Sequence, residues 1–256
     1  MARYALNVWD WRFLSLTGGA LSALISLPPE YNDDTVSPKR WPLVFFLHGR
    51  GERGSDLETV LRYGVPPVVL GHPDFPFVTI SPQLPDDHEW VDYHAELLAM
   101  LRYVTANLAV DPQRIYLTGL SMGGHGALFL ALRHPDIFGA AGSMSGGVDL
   151  RESHNQFDIS KRIGDTITQA AAWHDYSVVY LVEKYPSTTV KIIFDCGVDD
   201  FFIEGNRHLH RALLQLKIPH EYAEKPGGHS WDYWRQSLSF HLLFFSRYFY
   251  PNGPRG

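Results

Sequence analysis

The sequence holds a single cysteine, Cys196, so no disulfide bond can form within the chain. It also lacks an apolar run long enough to span a membrane. The longest early candidate, residues 20–27, is short, includes two serines and stops at Pro28. The formal net charge of −6 has the wrong sign for a nucleic-acid partner. These absences leave a globular protein with no expected membrane or nucleic-acid partner. Cys196 lies in an apolar strand pattern and is expected to pack in the core.

Length and composition indicate a single domain. A chain of 256 residues fits one large α/β domain better than two small ones. Its 45% hydrophobic and 20% charged residues are ordinary for a globular protein. The N-terminus lacks the basic-then-apolar order of a secretory signal, which favours a cytoplasmic protein, although a removed signal would leave the same sequence. A homo-oligomer is compatible with these properties.

Apolar strand signals alternate with helical ones along the chain. This alternation predicts a mostly parallel central sheet with helices on both faces, built from one domain over residues 1–256. The strand signals lie at residues 21–27, 43–47, 77–80, 115–118, 139–144, 190–194 and 220–223, and the main helical signals at 93–108, 124–132, 206–216 and 231–248.

One segment, residues 148–187, interrupts this alternation because it shows no clear core strand. Segments of this length inside one domain are usually functional or have structure of their own. We therefore expect a small helical, lid-like insertion over the site. A surface excursion without a role is the alternative.

The motif Gly119-Leu120-Ser121-Met122-Gly123 has the pattern G-x-S-x-G. A short β-branched strand signal precedes it and a helical signal follows it. This context is typical of a nucleophile elbow, in which the serine sits on a sharp turn with its hydroxyl exposed. Flanking glycines are required because side chains there would collide with the turn or a neighbouring strand. Ser121 is thus the candidate nucleophile, and a serine that merely caps the helix is the alternative.

A serine hydroxyl needs a base within hydrogen-bond reach, and the base needs an orienting acid. In the α/β-hydrolases the acid and then the histidine follow the serine along the chain. His229 lies in a glycine-rich loop after the last strand signal, which makes it the candidate base. For the acid, Asp195 lies inside a strand pattern, whereas Asp199 and Asp200 follow it, where catalytic groups of parallel sheets belong. Spacing alone does not separate Asp199 from Asp200.

Attack on an ester also needs donors for the oxyanion. The backbone N–H of Met122, directly after the serine, is the expected first donor. The second is expected from the loop after the early central strand, at Arg50 or, failing that, Gly49. His48 in this loop is expected to be structural.

Other histidines are not expected to act in the chemistry. His125 and His134 flank the predicted helix after Ser121 and are expected to pack or to face solvent. His208 and His210 lie two residues apart on a predicted helix, so they point to different faces and do not suggest a shared metal site.

Six segments, in this order, resemble the esterase branch of the α/β-hydrolases that contains esterase D (S-formylglutathione hydrolase) and the feruloyl and acetylxylan esterases. They are LPPEY at 27–31, LHG at 47–49, GLSMGGHGA at 119–127, SMSG at 143–146, GVDD at 197–200 and GH at 228–229. The resemblance implies an α/β-hydrolase fold and a serine carboxylesterase that needs no metal or organic cofactor. It also implies that Asp200, rather than Asp199, is the acid.

The resemblance leaves the substrate open. The loop His-Gly-Arg-Gly at residues 48–51 departs from the esterase D pattern, so a small-molecule or carbohydrate ester, such as an acetyl or feruloyl ester, is the expected substrate. Four aromatic residues are candidates for a substrate-binding wall: Trp90, Trp173, Phe201 and Trp231. A peptidase or acyltransferase with the same triad, or a non-catalytic binding protein on this scaffold, are the alternatives.

Overall fold

One sheet of nine strands organises the computed structural model, which describes residues 5–10, 13–18, 20–31, 39–72 and 74–249. The strands are β1 (Ala5–Asp10), β2 (Phe13–Thr17), β3 (Ser22–Ser26), β4 (Trp41–Leu47), β5 (Val78–Gln83), β6 (Val110–Leu120), β7 (Ala140–Met144), β8 (Lys191–Gly197) and β9 (His220–Lys225). Their spatial order is β1-β2-β3-β5-β4-β6-β7-β8-β9. The first three pair antiparallel and join β5 antiparallel, whereas all pairs from β5 to β9 are parallel. The predicted mostly parallel sheet is confirmed, and β1 and β2 are additions to it.

Helices cover both faces of this sheet, as predicted. They are α1 (Leu57–Arg62), α2 (Val65–Gly71), α3 (His94–Asn107), α4 (Met122–Arg133), α5 (Ile159–Ile163), α6 (Ala170–Tyr176), α7 (Val178–Lys184), α8 (Ile203–Gln215) and α9 (Trp231–Phe249). Side chains alternate across a strand, so Phe45 of β4 belongs to the core cluster that includes residues of α3, α4, α7 and α8, whereas Phe46 belongs to the cluster that includes residues of α2 and α9. Among the described residues, none of the helices combines the length and apolarity needed to cross a membrane.

The segment 148–187 is helical, as expected, but it is not uniform. Helix α7 lies in the main core, where Val178, Leu181 and Val182 are buried. The excursion from the core therefore ends before α7. The chain returns to its starting point at the first turn of α7, where the N–H of Val179 donates to the carbonyl of Val148 at 3.2 Å. Residues between them, including α5 and α6, form a closed loop beside the carboxyl ends of the parallel strands.

Candidate active site

Ser121 occupies the turn between β6 and α4. Its backbone is in the left-handed region, with φ 53° and ψ −120°, a conformation that typically costs a non-glycine residue about 1–3 kcal/mol. The turn also presses against β4: a Cβ on Gly119 would lie 2.5 Å from the carbonyl oxygen of Leu47, and one on Gly123 only 2.0 Å from it. Glycine at both positions is therefore what allows this close approach.

Three side chains from three different loops form a continuous hydrogen-bonded chain. The Ser121 hydroxyl lies 2.9 Å from His229 Nε2, and His229 Nδ1 lies 2.9 Å from Asp200 Oδ2 and 3.1 Å from Asp200 Oδ1. Asp200 follows β8 and His229 follows β9. These loops touch, since the N–H of Asp199 donates to the carbonyl of Gly227 at 3.0 Å. The geometry can pass a proton from a serine to an imidazole held by a buried carboxylate.

The structure separates the three candidate acids. The Asp200 side chain is fully buried and contacts His229. The side chain of Asp199 points to solvent, and Asp195 is committed elsewhere, accepting from the Tyr233 hydroxyl at 2.8 Å and from His241 Nε2 at 2.9 Å. Of the three, only Asp200 is positioned to orient His229.

The expected oxyanion donors lie beside Ser121. Met122 is the first residue of α4, so its N–H has no partner within the helix. The loop after β4 comes very close, because a Cβ on Gly49 would lie 3.6 Å from the Cβ of Ser121. Arg50 begins a short 3-10 helix there and lines the same cavity as Ser121 and Met122.

His48 holds this loop in shape. Burial lowers the pKa of His48 to about 4, so the ring is neutral near pH 7. Its Nδ1–H donates to the carbonyl of Gly49 at 2.6 Å, and its Nε2 accepts the N–H of Leu84 at 3.0 Å. Trp90 adds a further bond, from its indole N–H to the carbonyl of His48 at 2.9 Å. His48 is thus fully occupied in positioning the loop.

A cavity of about 180 Å³ opens next to Ser121. Its walls come from residues 89–92, from the first turns of α4 and from the excursion. Most of them are apolar, including Phe157, Ile159 and Ile163. His229 is outside the cavity wall. The cavity therefore adjoins the nucleophile on the side of Met122 rather than on the side of the imidazole.

The four aromatic candidates have different positions. Trp90 lines the cavity, and the half-exposed ring of Phe201 lies 4.3 Å from the ring of His229, centroid to centroid. Trp173 is buried inside the excursion, where its indole N–H donates to the carbonyl of Gly164 at 3.1 Å. Trp231 stacks on Tyr63 at 4.8 Å. Of the four, the structure thus brings Trp90 alone into the cavity wall, because Trp173 and Trp231 pack against other parts of the chain and Phe201 lies beside His229.

Most of the residues that line the cavity were not predicted from the sequence, and two of them lie close to the triad. Phe202 follows Phe201 directly and its ring also contacts that of His229, at 5.4 Å. His125 lines the cavity four residues after Ser121. That spacing, which brings side chains to one side of a helix, was the signal that could have identified it.

One cluster of side chains away from the cavity consists of residue types that can bind a metal ion. Ligand atoms of Asp149, Glu152 and His208 lie within 4.8 Å of one another. However, Arg151 already binds the Asp149 carboxylate through two bonds of 3.1 and 3.0 Å. Although burial opposes it, this guanidinium helps to hold the pKa of Asp149 below its ordinary value. The cluster is accounted for as an ion-pair network.

Comparison with known proteins is consistent with this geometry. The family model described as "Putative esterase" matches residues 16–245. An acetyl esterase of Caldicellulosiruptor saccharolyticus is 26% identical over 238 residues, which cover 84% of this chain and 87% of that protein. An S-formylglutathione hydrolase of Bos taurus is 31% identical over 153 residues, covering 57% of this chain and only about half, 52%, of the relative.

A solved structure supports the fold. A ferulic acid esterase superposes with a TM-score of 0.67 at 23% identity, covering 89% of this chain and 92% of that one. The sheet order, the elbow and the family match over most of the chain lead to one conclusion. The chain belongs to the Putative esterase family, and it is a serine hydrolase with the α/β-hydrolase fold.

Proposed function

We propose that the protein is a serine carboxylesterase that works through an acyl-enzyme. Ser121 Oγ attacks the ester carbonyl while His229 Nε2 takes its proton, and Asp200 orients the imidazole and stabilises its charged form. His229 then returns the proton to the leaving alcohol. Water activated by His229 finally hydrolyses the acyl-enzyme and restores Ser121. The observation that carries the proposal is the unbroken hydrogen-bond chain through these three residues, with 2.9 Å at each link.

The same proposal assigns the oxyanion to backbone donors. The N–H of Met122 supplies one bond, and the N–H of Arg50, or else of Gly49, supplies the other. Removing one such donor typically lowers the rate about a hundred- to a thousand-fold. The close approach of Gly49 to Ser121 supports this assignment, because a side chain on that loop would crowd the reacting carbonyl.

For the substrate, we propose a small-molecule or carbohydrate ester with an acetyl or feruloyl acyl group. The names of the acetyl esterase and the ferulic acid esterase support these two acyl groups. S-formylglutathione is a weaker candidate because residues 48–51 depart from the esterase D pattern.

We further propose that the chain acts as one domain and that the segment 148–187 contains a lid-like insertion, formed by the part that precedes α7. Helix α5 of this segment lines the cavity and is tied across it by two ion pairs. Arg50 lies 3.7 Å from Asp158, and Arg162 lies 3.4 Å from Asp92. Partly exposed pairs of this kind are weak, so these two ion pairs do not by themselves lock the segment in place.

A fluorophosphonate probe tests the proposed nucleophile directly. The folded protein should be labelled at Ser121, and Ser121→Ala should remove the label. In parallel, the protein should release acid from p-nitrophenyl acetate without cleaving aminoacyl amides, which separates an esterase from a peptidase. Failure to label folded protein would refute the proposal. A panel of acetyl, longer acyl and feruloyl esters, acetylated xylan and S-formylglutathione then identifies the substrate.

A further inference from the structure

His125 is placed to contact a bound substrate. It lies on the first turns of α4 and its backbone N–H donates to the carbonyl of Ser121 at 3.1 Å. Four residues along a helix correspond to about 6 Å. The His125 side chain therefore starts about one helical turn from the nucleophile, and it lines the same cavity as Ser121.

The protonation of the His125 ring follows from its contacts. Its Nε2 lies 2.7 Å from the carbonyl oxygen of Tyr176, which can only accept, so Nε2 carries the proton. Burial lowers the pKa of His125 to about 4, so the other nitrogen is unprotonated near neutral pH. Within the part of the chain that the structure describes, no donor reaches this Nδ1, it is not among the fully buried atoms, and the residue itself lines the cavity. The cavity wall thus carries a hydrogen-bond acceptor among apolar side chains.

The position of the cavity indicates which half of an ester occupies it. A leaving alcohol must reach His229 Nε2 to receive a proton, and His229 does not line the cavity. Met122 and Arg50, on the proposed oxyanion side, do line it. An ester with its carbonyl oxygen between those two residues therefore extends its acyl group into the cavity.

We propose that His125 selects the acyl group: its Nδ1 accepts a hydrogen bond from a hydroxyl carried by the acyl chain, so the enzyme prefers esters of hydroxylated acids. The inference rests on the proposed esterase function. When an apolar acyl group displaces water from the cavity, the His125 acceptor is left without a donor, which costs binding free energy. A site that binds a hydroxyl group through such an acceptor therefore discriminates against analogues that lack the hydroxyl.

The test compares methyl hexanoate with methyl 3-, 5- and 6-hydroxyhexanoate, following acid release by titration at constant pH. The wild type should show a kcat/KM about tenfold higher for at least one hydroxyl position, as expected for one hydrogen bond. His125→Phe should reduce this ratio to about one. His125→Gln should keep much of it, because the amide can donate to the Tyr176 carbonyl and still present an oxygen to the cavity.

The ratio, not the absolute rate, decides, because a merely structural role for His125 would lower both rates together. A matched pair that differs in the alcohol, propyl and 2-hydroxyethyl hexanoate, should show no dependence on His125. The inference is overturned if the wild type does not discriminate, if His125→Phe keeps the preference, or if the preference follows the alcohol. Hydrolysis of hexanoate without discrimination refutes this inference alone, whereas no hydrolysis and no fluorophosphonate labelling refutes the esterase as well.

Discussion

Replacing Asp200 with asparagine should disable the base without disturbing the fold. Asp200 Oδ1 accepts the backbone N–H of Phe202 at 2.9 Å, while Oδ2 is the oxygen closer to His229 Nδ1. An asparagine that keeps the Phe202 bond must therefore turn its NH₂ group toward His229. That donor favours the tautomer with the proton on Nε2, which cannot accept the proton of Ser121.

The expected loss is large because the wrong tautomer abolishes general-base catalysis. Replacements of this kind cost about 10⁴-fold in kcat, which corresponds to about 5.5 kcal/mol of transition-state stabilisation. The assay is steady-state hydrolysis of p-nitrophenyl acetate, in which kcat should fall while KM changes little. Circular dichroism and thermal unfolding check that the variant is folded.

Asp199→Asn is the matched control, since it makes the same chemical change one residue away on an exposed side chain. Its activity should stay within about threefold of the wild type, because substitutions of exposed side chains usually change the stability of the fold very little. Comparable losses in both variants, or more than a tenth of wild-type activity in Asp200→Asn, would contradict the role assigned to Asp200.

Three further outcomes follow from the structure. Ser121→Ala should lower turnover by up to about 10⁶-fold, and adding His229→Ala should cost little more, because the triad acts as a unit. Gly123→Ala should destabilise the fold by about 3 kcal/mol or more in denaturant titrations, since its Cβ would meet backbone oxygen at 2.0 Å. Burial raises the pKa of Asp195, but hydrogen bonding to His241 helps to hold that pKa below 3.8. The ionised carboxylate therefore stabilises the fold above pH 3.8, and this stabilisation is lost as the pH falls through the lowered pKa. Asp195→Asn should therefore be less stable than the wild type at pH 7, with a difference that narrows below about pH 3.8 in urea unfolding.

Each of these outcomes can fail in a specific way. Losses that multiply in the double variant would mean that Ser121 and His229 act independently. A stable Gly123→Ala protein would mean that the elbow does not need its close contact with β4. If the stability difference between Asp195→Asn and the wild type does not change between pH 7 and pH 3, the Asp195 carboxylate does not contribute to the loss of stability in acid.

The sequence predicted the central sheet and the strand–turn–helix around Ser121 well, because both depend on local pattern. A continuous apolar run such as that of β4 indicates a strand covered on both faces, and the G-x-S-x-G motif has few other structural contexts. Helices α1 and α2 escaped prediction because they are short and α2 begins with two prolines in its first turn. Strands β1 and β2 also escaped it: the first strand signal lay at residues 21–27, which correspond to β3.

The rest depends on contacts that spacing does not encode. Asp199 and Asp200 differ only in how the turn after β8 meets the loop of Gly227, and that meeting is a tertiary contact. Trp173 is an aromatic residue in a long loop, as expected of a substrate-binding residue, but its ring faces the interior of the excursion. Whether an aromatic side chain in a long loop turns inward or toward the cavity is decided by packing, not by pattern.

The hydrogen bond between Val148 and Val179 has a consequence for how specificity can change in this protein. The loop that leaves at one and returns at the other carries much of the apolar wall of the cavity, including Phe157, Ile159 and Ile163, yet it carries neither Ser121, Asp200 nor His229. Because its ends already touch, a loop of different length can be spliced between them at a small entropic cost, since closure entropy grows only slowly with length. We therefore expect that replacing this loop with one of different length and sequence changes the acyl preference, while the catalytic residues and the reaction that they perform stay the same.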